Sequence, residues 1–209
     1  MTRQRTISVS AQGEASVAPD LAVVSFAVSG NGKELAPTRD DVNTRSSAVL
    51  ARLRELGISE GDLNAPDVGI HPQYDYRRGQ KLIGYQVTRQ MTAKVRSLDM
   101  LGEILDGLVG AGANEVHGAQ MTASDPSLAE HAALEAAVAA ARAKAEVLAR
   151  AAGVTLGAVQ RLEEDQGSDV GPLPKFRAMA MAEAADVPTE VATGDLTVTR
   201  RIRAWFGIG

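Results

Sequence analysis

Residues 68–96, VGIHPQYDYRRGQKLIGYQVTRQMTAKVR, constrain the fold more than any other stretch, because two runs of period-two alternation meet there at a Gly-Gln pair. The stretch holds all three tyrosines of the chain. With Gly79 and Gln80 at the turn, the alternation predicts an antiparallel ribbon with Tyr74 facing Tyr85 and Tyr76 facing Ile83. The same register sets Pro72 against Val87, Ile70 against Arg89 and Val68 against Met91, while His71, Gln73, Asp75, Gln86, Thr88 and Gln90 point the other way. Arg89 is the odd member of the apolar set. The second run continues to about Arg96, long for a strand, so the ribbon must bend or twist.

Strand and helix signals interleave irregularly around this hairpin. TISVSAQGEASV alternates and reads as a half-buried strand, and LAVVSFAVSG is nearly all apolar and reads as a strand inside the sheet. Residues 35–56 predict a helix with Pro37 in its first turn, Gly57 as its stop, and Val42, Val49, Leu50, Leu53 and Leu56 inward. SLDMLGEILDGLVGAGA predicts a second helix capped by Ser97, with Asp99 in its first turn and Leu98, Leu101, Ile104, Leu105 and Leu108 inward. NEVHGAQMTA reads as a strand. A long Ala-rich helix follows, capped by Ser124 or Asp125 with Pro126 at its first position and closed by Gly153; its alanines permit close approach to a neighbour. GAVQRLEED and DLTVTRRIRAW are the last predicted strands. Residues 166–193, rich in Gly, Pro, Ala and Met, hold no sustained period and read as a long mobile loop. The class is α+β: a mixed, largely antiparallel sheet with a long central hairpin and about three helices. A chain of 209 residues fits one large domain or two small ones, and a single compact body over 1–209 is expected.

Composition excludes several function classes. With 22 Lys+Arg against 26 Asp+Glu the net charge is −4, so nothing draws the whole molecule to phosphate or anionic lipid. Cysteine is absent, which removes disulfides, thiolate metal sites and thiol catalysis. No apolar run follows the basic N-terminal residues, and no window approaches the length of a membrane-spanning helix, so the chain as given reads as soluble and cytoplasmic, with the periplasm or envelope as the alternative if a leader has been removed.

Four blocks carry a resemblance: ISVSAQGEASVAPDLAVVSFAVS, GYQVTRQMTAKVR, LGEILDGLVGAGANEV and AVAAARAKAEVLARAAGVTLGAV. Together they resemble the SIMPL domain family, bacterial proteins named after a kinase-associated signalling molecule of animals. The resemblance implies an α+β body of strand-helix-strand units with a variable Pro/Met/Ala-rich insertion before the last strand. It also implies export to the periplasm or outer envelope in many members, association with defence against oxidative stress in others, and large ring-like homo-oligomers in the family. It supplies no catalytic residue set and no cofactor.

Each look-alike for chemistry has a plainer reading beside it. AVSGNGKE sits where a phosphate loop would, but Ala27 and Glu34 replace its Gly and Ser/Thr, and Glu34 puts negative charge where phosphate belongs. His71, His117 and His131 lack metal-motif spacing. Glu115 and His117 share a strand face, the pattern of an acid-base or metal pair and equally of a solvated edge strand. Glu163, Glu164 and Asp165 read as a soluble strand end before a paired-carboxylate site, and no G-x-S-x-G elbow occurs. Met179 and Met181 are candidate oxidant scavengers in a flexible stretch.

The hairpin remains. A nucleic-acid platform would expose aromatics among Lys and Arg, whereas here the tyrosines fall on the same face as Val68, Ile70, Val87, Met91 and Val95, a core face or an oligomer interface. Arg77, Arg78 and Lys81 fall at the tip and keep a projecting turn soluble. The expectation is a non-enzymatic, self-associating protein with Tyr74, Tyr76, Arg77, Arg78 and Tyr85 as interaction residues. The alternatives are a small-ligand or nucleic-acid module using the same hairpin, and an enzyme centred on Glu115 and His117.

Overall fold

A computed structural model describes residues 5–66, 68–77, 79–165, 173–174 and 194–209. The described residues divide into two compact units, one of residues 5–19, 123–165, 173–174 and 194–209, the other of residues 20–66, 68–77 and 79–122. The class is α+β, with largely antiparallel sheets, as the interleaved signals predict.

The first unit is a sheet with one helix on it. Strand β1 (Thr6–Val17) pairs antiparallel with the last strand, β9 (Leu196–Ile208), from Thr6 opposite Gly207 to Val17 opposite Leu196 without a register break. Strand β7 (Leu156–Glu164) lies on the other side of β9, and the two-residue β8 (Leu173–Pro174) also pairs with β9. Helix α3 (Ser127–Ala151) covers one face of this sheet with Ala129, Ala133, Ala137, Ala141, Ala145 and Ala149, one alanine in every four residues, all buried. A stripe with no side chain beyond Cβ lets the helix backbone come down onto the strands. At Gly13 in β1 it comes so close that a Cβ would overlap the Ala133 carbonyl and the Ala137 amide. Val9, Ile202, Ala204 and Phe206 complete this core. Pro126 itself is the N-cap of α3, its carbonyl accepting from the Glu130 N–H at 2.9 Å, so neither Ser124 nor Asp125 holds the cap position and Pro126 is not at the first helical position; the Asp125 carboxylate, one residue earlier, accepts from the Ser127 N–H at 3.0 Å.

The second unit is built on β2 (Leu21–Gly32), which is central: it is flanked by β5 (Lys81–Val95) and β6 (Glu115–Thr122). On the far side of β5 lie β4 (Val68–Asp75) and the short β3 (Leu63–Asn64). Ala22, Val24, Phe26 and Val28 of β2 and Val87, Met91, Ala93 and Val95 of β5 face helices α1 (Leu35–Glu55) and α2 (Leu101–Gly110), which supply Val42, Val49, Leu53, Leu101, Ile104 and Leu108. Helix α1 stops as its sequence predicts: Gly57 has φ +87°, and the Ile58 N–H reaches back to the Leu53 carbonyl at 3.0 Å. Gly153 closes α3 in the same way, with the Val154 N–H on the Ala149 carbonyl. A 3₁₀ turn, Leu98–Met100, precedes α2, so Ser97 opens that turn and makes no side-chain cap.

The hairpin register differs from the alternation-based expectation. Val68 faces Arg89, Ile70 faces Val87 and Pro72 faces Tyr85, two residues away from the predicted pairing. The register then shifts between Gln73 and Tyr74, so that Tyr74 faces Leu82 and Ile83 has no partner in β4. Tyr74 is therefore not opposite Tyr85, and Tyr76 lies beyond the strand end. The physical cause is the turn: the Asp75 carboxylate accepts the Arg77 N–H at 2.9 Å, which ends β4 at Asp75, while β5 begins only at Lys81.

Candidate functional site

The ribbon of β4 and β5 runs past the end of β2. The last β2 rung is Gly32 opposite Tyr85, so among the described residues Gln73–Asp75 and Lys81–Gly84 have no third strand beside them. Two local features hold this end against β2. Gly84 is buried, and a Cβ there would stand 2.7 Å from the Gly32 carbonyl oxygen. The Gln73 amide nitrogen donates to Asn31 Oδ1 at 3.1 Å.

Beyond that anchorage the side chains leave the core. Tyr76 is 72% exposed, Ile83 51% and Leu82 42%, and Ile70 and Tyr74 are also exposed. The Tyr74 and Tyr76 rings sit 6.3 Å apart at 51°, a tilted contact. Tyr85 is half-buried between Pro72 and Gly32. Among the described residues the Arg77 guanidinium and the Lys81 ammonium have no ion-pair partner, and both are exposed. The structure thus brings Tyr74, Tyr76 and Arg77 together at one end of the ribbon and sets Tyr85 apart at its root; Arg78 lies outside the described residues. Leu82 is absent from the residues that alternation singles out, and Ile83, which alternation sets opposite Tyr76, is not among the expected interaction residues. Their signal is the Leu-Ile-Gly run, which breaks the alternation where Ile83 goes unpaired.

Arg89 does join the apolar face, between Val28 and Val68, and its Nε is buried without a hydrogen-bond partner among the described residues. Elsewhere the look-alikes take ordinary places. His117 Nε2 stands 3.9 Å from Glu115 Oε2, with both side chains well exposed on the edge strand β6. Among the described residues no group of three or more His, Asp or Glu side chains could hold a metal ion. Glu163 pairs with Arg161, whose guanidinium lies 4.9 Å from the centre of the Trp205 ring. Glu164 stands 3.9 Å from Arg200, which also meets Glu130 at 2.5 Å. In the phosphate-loop look-alike, a Cβ at Gly32 would overlap Thr38 Oγ1, and that hydroxyl donates to the Glu34 carbonyl at 2.7 Å; the glycine serves helix packing. Met179 and Met181 lie outside the described residues, as does nearly all of the stretch read as a loop, 166–193.

Comparison with known proteins adds a family to this geometry. The family model SIMPL, described as a protein of unknown function (DUF541), matches residues 7–206. The chain is 31% identical over 185 residues to the uncharacterized protein YggE of Edwardsiella ictaluri, covering 87% of this chain and 77% of the relative. It is 30% identical over 217 residues to the 26 kDa periplasmic immunogenic protein of Brucella melitensis, covering 99% and 86%. YggE of Escherichia coli K12 is 29% identical over 181 residues, covering 85% and 73%. None of these relatives carries an enzyme's name.

Proposed function

The chain belongs to the SIMPL family, and from that premise we propose that it is a non-enzymatic protein of the cell envelope that acts by contact, associating with further copies of itself through the ribbon of β4 and β5. One observation carries the reading: the apolar side chains Tyr74, Leu82 and Ile83 stand exposed where the ribbon outruns β2, and Ile70 is exposed further back on β4. Apolar surface gathered on a projecting element is characteristic of an assembly contact. Burying one such side chain fully is worth about 1.5–3 kcal/mol, so a partner covering the partly exposed set is rewarded. The Brucella relatives are named periplasmic, which favours the envelope over the cytoplasm for this chain too. A chain without cysteine folds independently of the redox state of either compartment.

The test is the native mass by light scattering, at low and at high salt. The expected result is a discrete multiple of 21.9 kDa that survives salt, and a shift toward the monomer in the double variant Ile70→Ser/Tyr74→Ser. A monomer in wild type at all concentrations and salts overturns the reading.

A further inference from the structure

We propose that the tip of the β4–β5 ribbon is an interfacial anchor for an anionic lipid bilayer, with Tyr76, Leu82 and Ile83 entering the headgroup region and Arg77 and Lys81 meeting lipid phosphates. The self-association reading is not needed for this, because a single copy carries the whole anchor.

Three observations point to lipid. First, the tip combines the two chemistries that interfacial binding requires, exposed apolar and aromatic side chains and basic ones, within residues 76–83. Tyrosine suits the boundary, since its ring is apolar and its hydroxyl wet. Second, neither Arg77 nor Lys81 has an ion-pair partner among the described residues. Asp75 lies opposite Lys81 in the ladder, and its carboxylate accepts the Arg77 backbone N–H without forming an ion pair with either cation. The tip is therefore basic on a chain whose net charge is −4. An anionic surface attracts the tip and repels the rest of the chain, which favours approach through the tip. Third, the unsupported part of the ribbon is short. Lys81–Gly84 is four residues, and at about 3.3 Å per residue it reaches some 10 Å, the depth of the headgroup and acyl boundary. Deeper entry is barred, because a two-stranded ribbon has open edges whose backbone groups need water. A second copy docking tip to tip would set Arg77 and Lys81 against their own counterparts, so the bilayer is the better complement to this charge.

The experiment is flotation of the full chain with vesicles of phosphatidylglycerol and phosphatidylethanolamine, compared with phosphatidylcholine alone. Wild type is expected to float with the anionic vesicles and not with the neutral ones. At about 1 kcal/mol per basic residue near a charged surface, Arg77→Gln/Lys81→Gln is expected to lower partitioning roughly thirtyfold. Leu82→Asp/Ile83→Asp is expected to abolish flotation, and Val147→Asp, an exposed position on α3 in the other unit, is expected to leave it unchanged. Each variant's thermal midpoint is compared with wild type, and these positions are exposed enough that it should hold. Absence of wild-type flotation overturns the proposal, as does flotation of either tip variant at the wild-type level. If Leu82→Asp/Ile83→Asp floats normally while heparin competes all binding away, the tip is only a polyanion site and the proposal fails. A monomer that floats supports the anchor and removes the self-association reading; an oligomer that does not float does the reverse.

Discussion

A methyl group on residue 13 would stand inside the backbone of α3, where the Ala133 carbonyl and the Ala137 amide leave no room and no flexible side chain can give way. Gly13→Ala is therefore expected to destabilise the protein by about 1–3 kcal/mol through overpacking, read as a lower thermal midpoint. Gly61→Ala, where nothing lies within 4 Å of the new carbon, serves as the neutral control. Ser46 runs the other way. It is fully buried on the inner stripe of α1, and its hydroxyl has no hydrogen-bond partner among the described residues. Ser46→Ala removes an unsatisfied polar group and installs a better helix former, so it is expected to stabilise by about 1 kcal/mol, a rise of roughly 2–4 °C in midpoint. Neither residue announces itself in one dimension. Gly13 looks like a weak point in an alternating strand and Ser46 like a solvated helix position, because the crowding at one and the dryness at the other are made by segments distant in sequence.

At the scale of elements, one ion pair pins the end of β5 to the 3₁₀ turn Glu60–Asp62. The Arg96 guanidinium grips both Asp62 carboxylate oxygens at 2.9 and 3.0 Å, and the Asp62 side chain is only 12% exposed. The hydrogen bonds from Arg96 hold the Asp62 carboxyl below its usual range, against a smaller opposing effect of desolvation. A carboxyl depressed in the folded state adds stability above its unfolded value, about 3.9, and loses it as pH falls through the folded one. Arg96→Gln is therefore expected to lower the urea midpoint at neutral pH and to converge on wild type in strong acid. A gap that stays constant down to acid pH would contradict this. Helices and most strands were legible from periodicity and from their Gly stops, since those signals are local: α1, α3, β1 and β6 lie within a residue or two of where the pattern puts them. Turn chemistry at Asp75 and the unpaired Ile83 were not, and together they moved the hairpin register by two residues. The tyrosine pair consequently became Tyr74 with Tyr76 along one strand end instead of Tyr74 across from Tyr85.

For the whole molecule, salt separates the kinds of contact the ribbon could make. An assembly driven by Ile70, Tyr74 and their apolar neighbours is expected to hold its native mass as ionic strength rises, because burial of apolar surface is strengthened or left alone by salt. A complex resting on Arg77 and Lys81 alone would fade over the same range, since screening shortens their reach to about 10 Å at 0.1 M and about 3 Å at 1 M. By itself the sequence determined the class, the order of elements, the absence of thiol chemistry and the basic, aromatic character of the hairpin, because each follows from local period, turn residues or composition. Only the tertiary structure decided that consecutive strands β1 and β2 serve different units, that β1 closes its sheet with β9 from the far end of the chain, and that β2 stops short of the ribbon tip. Those choices rest on long-range pairing and on close backbone approaches at Gly13, Gly32 and Gly84. Local periodicity says which face of a strand is apolar; which other strand it meets, and where that neighbour ends, is set by packing among segments far apart in the chain.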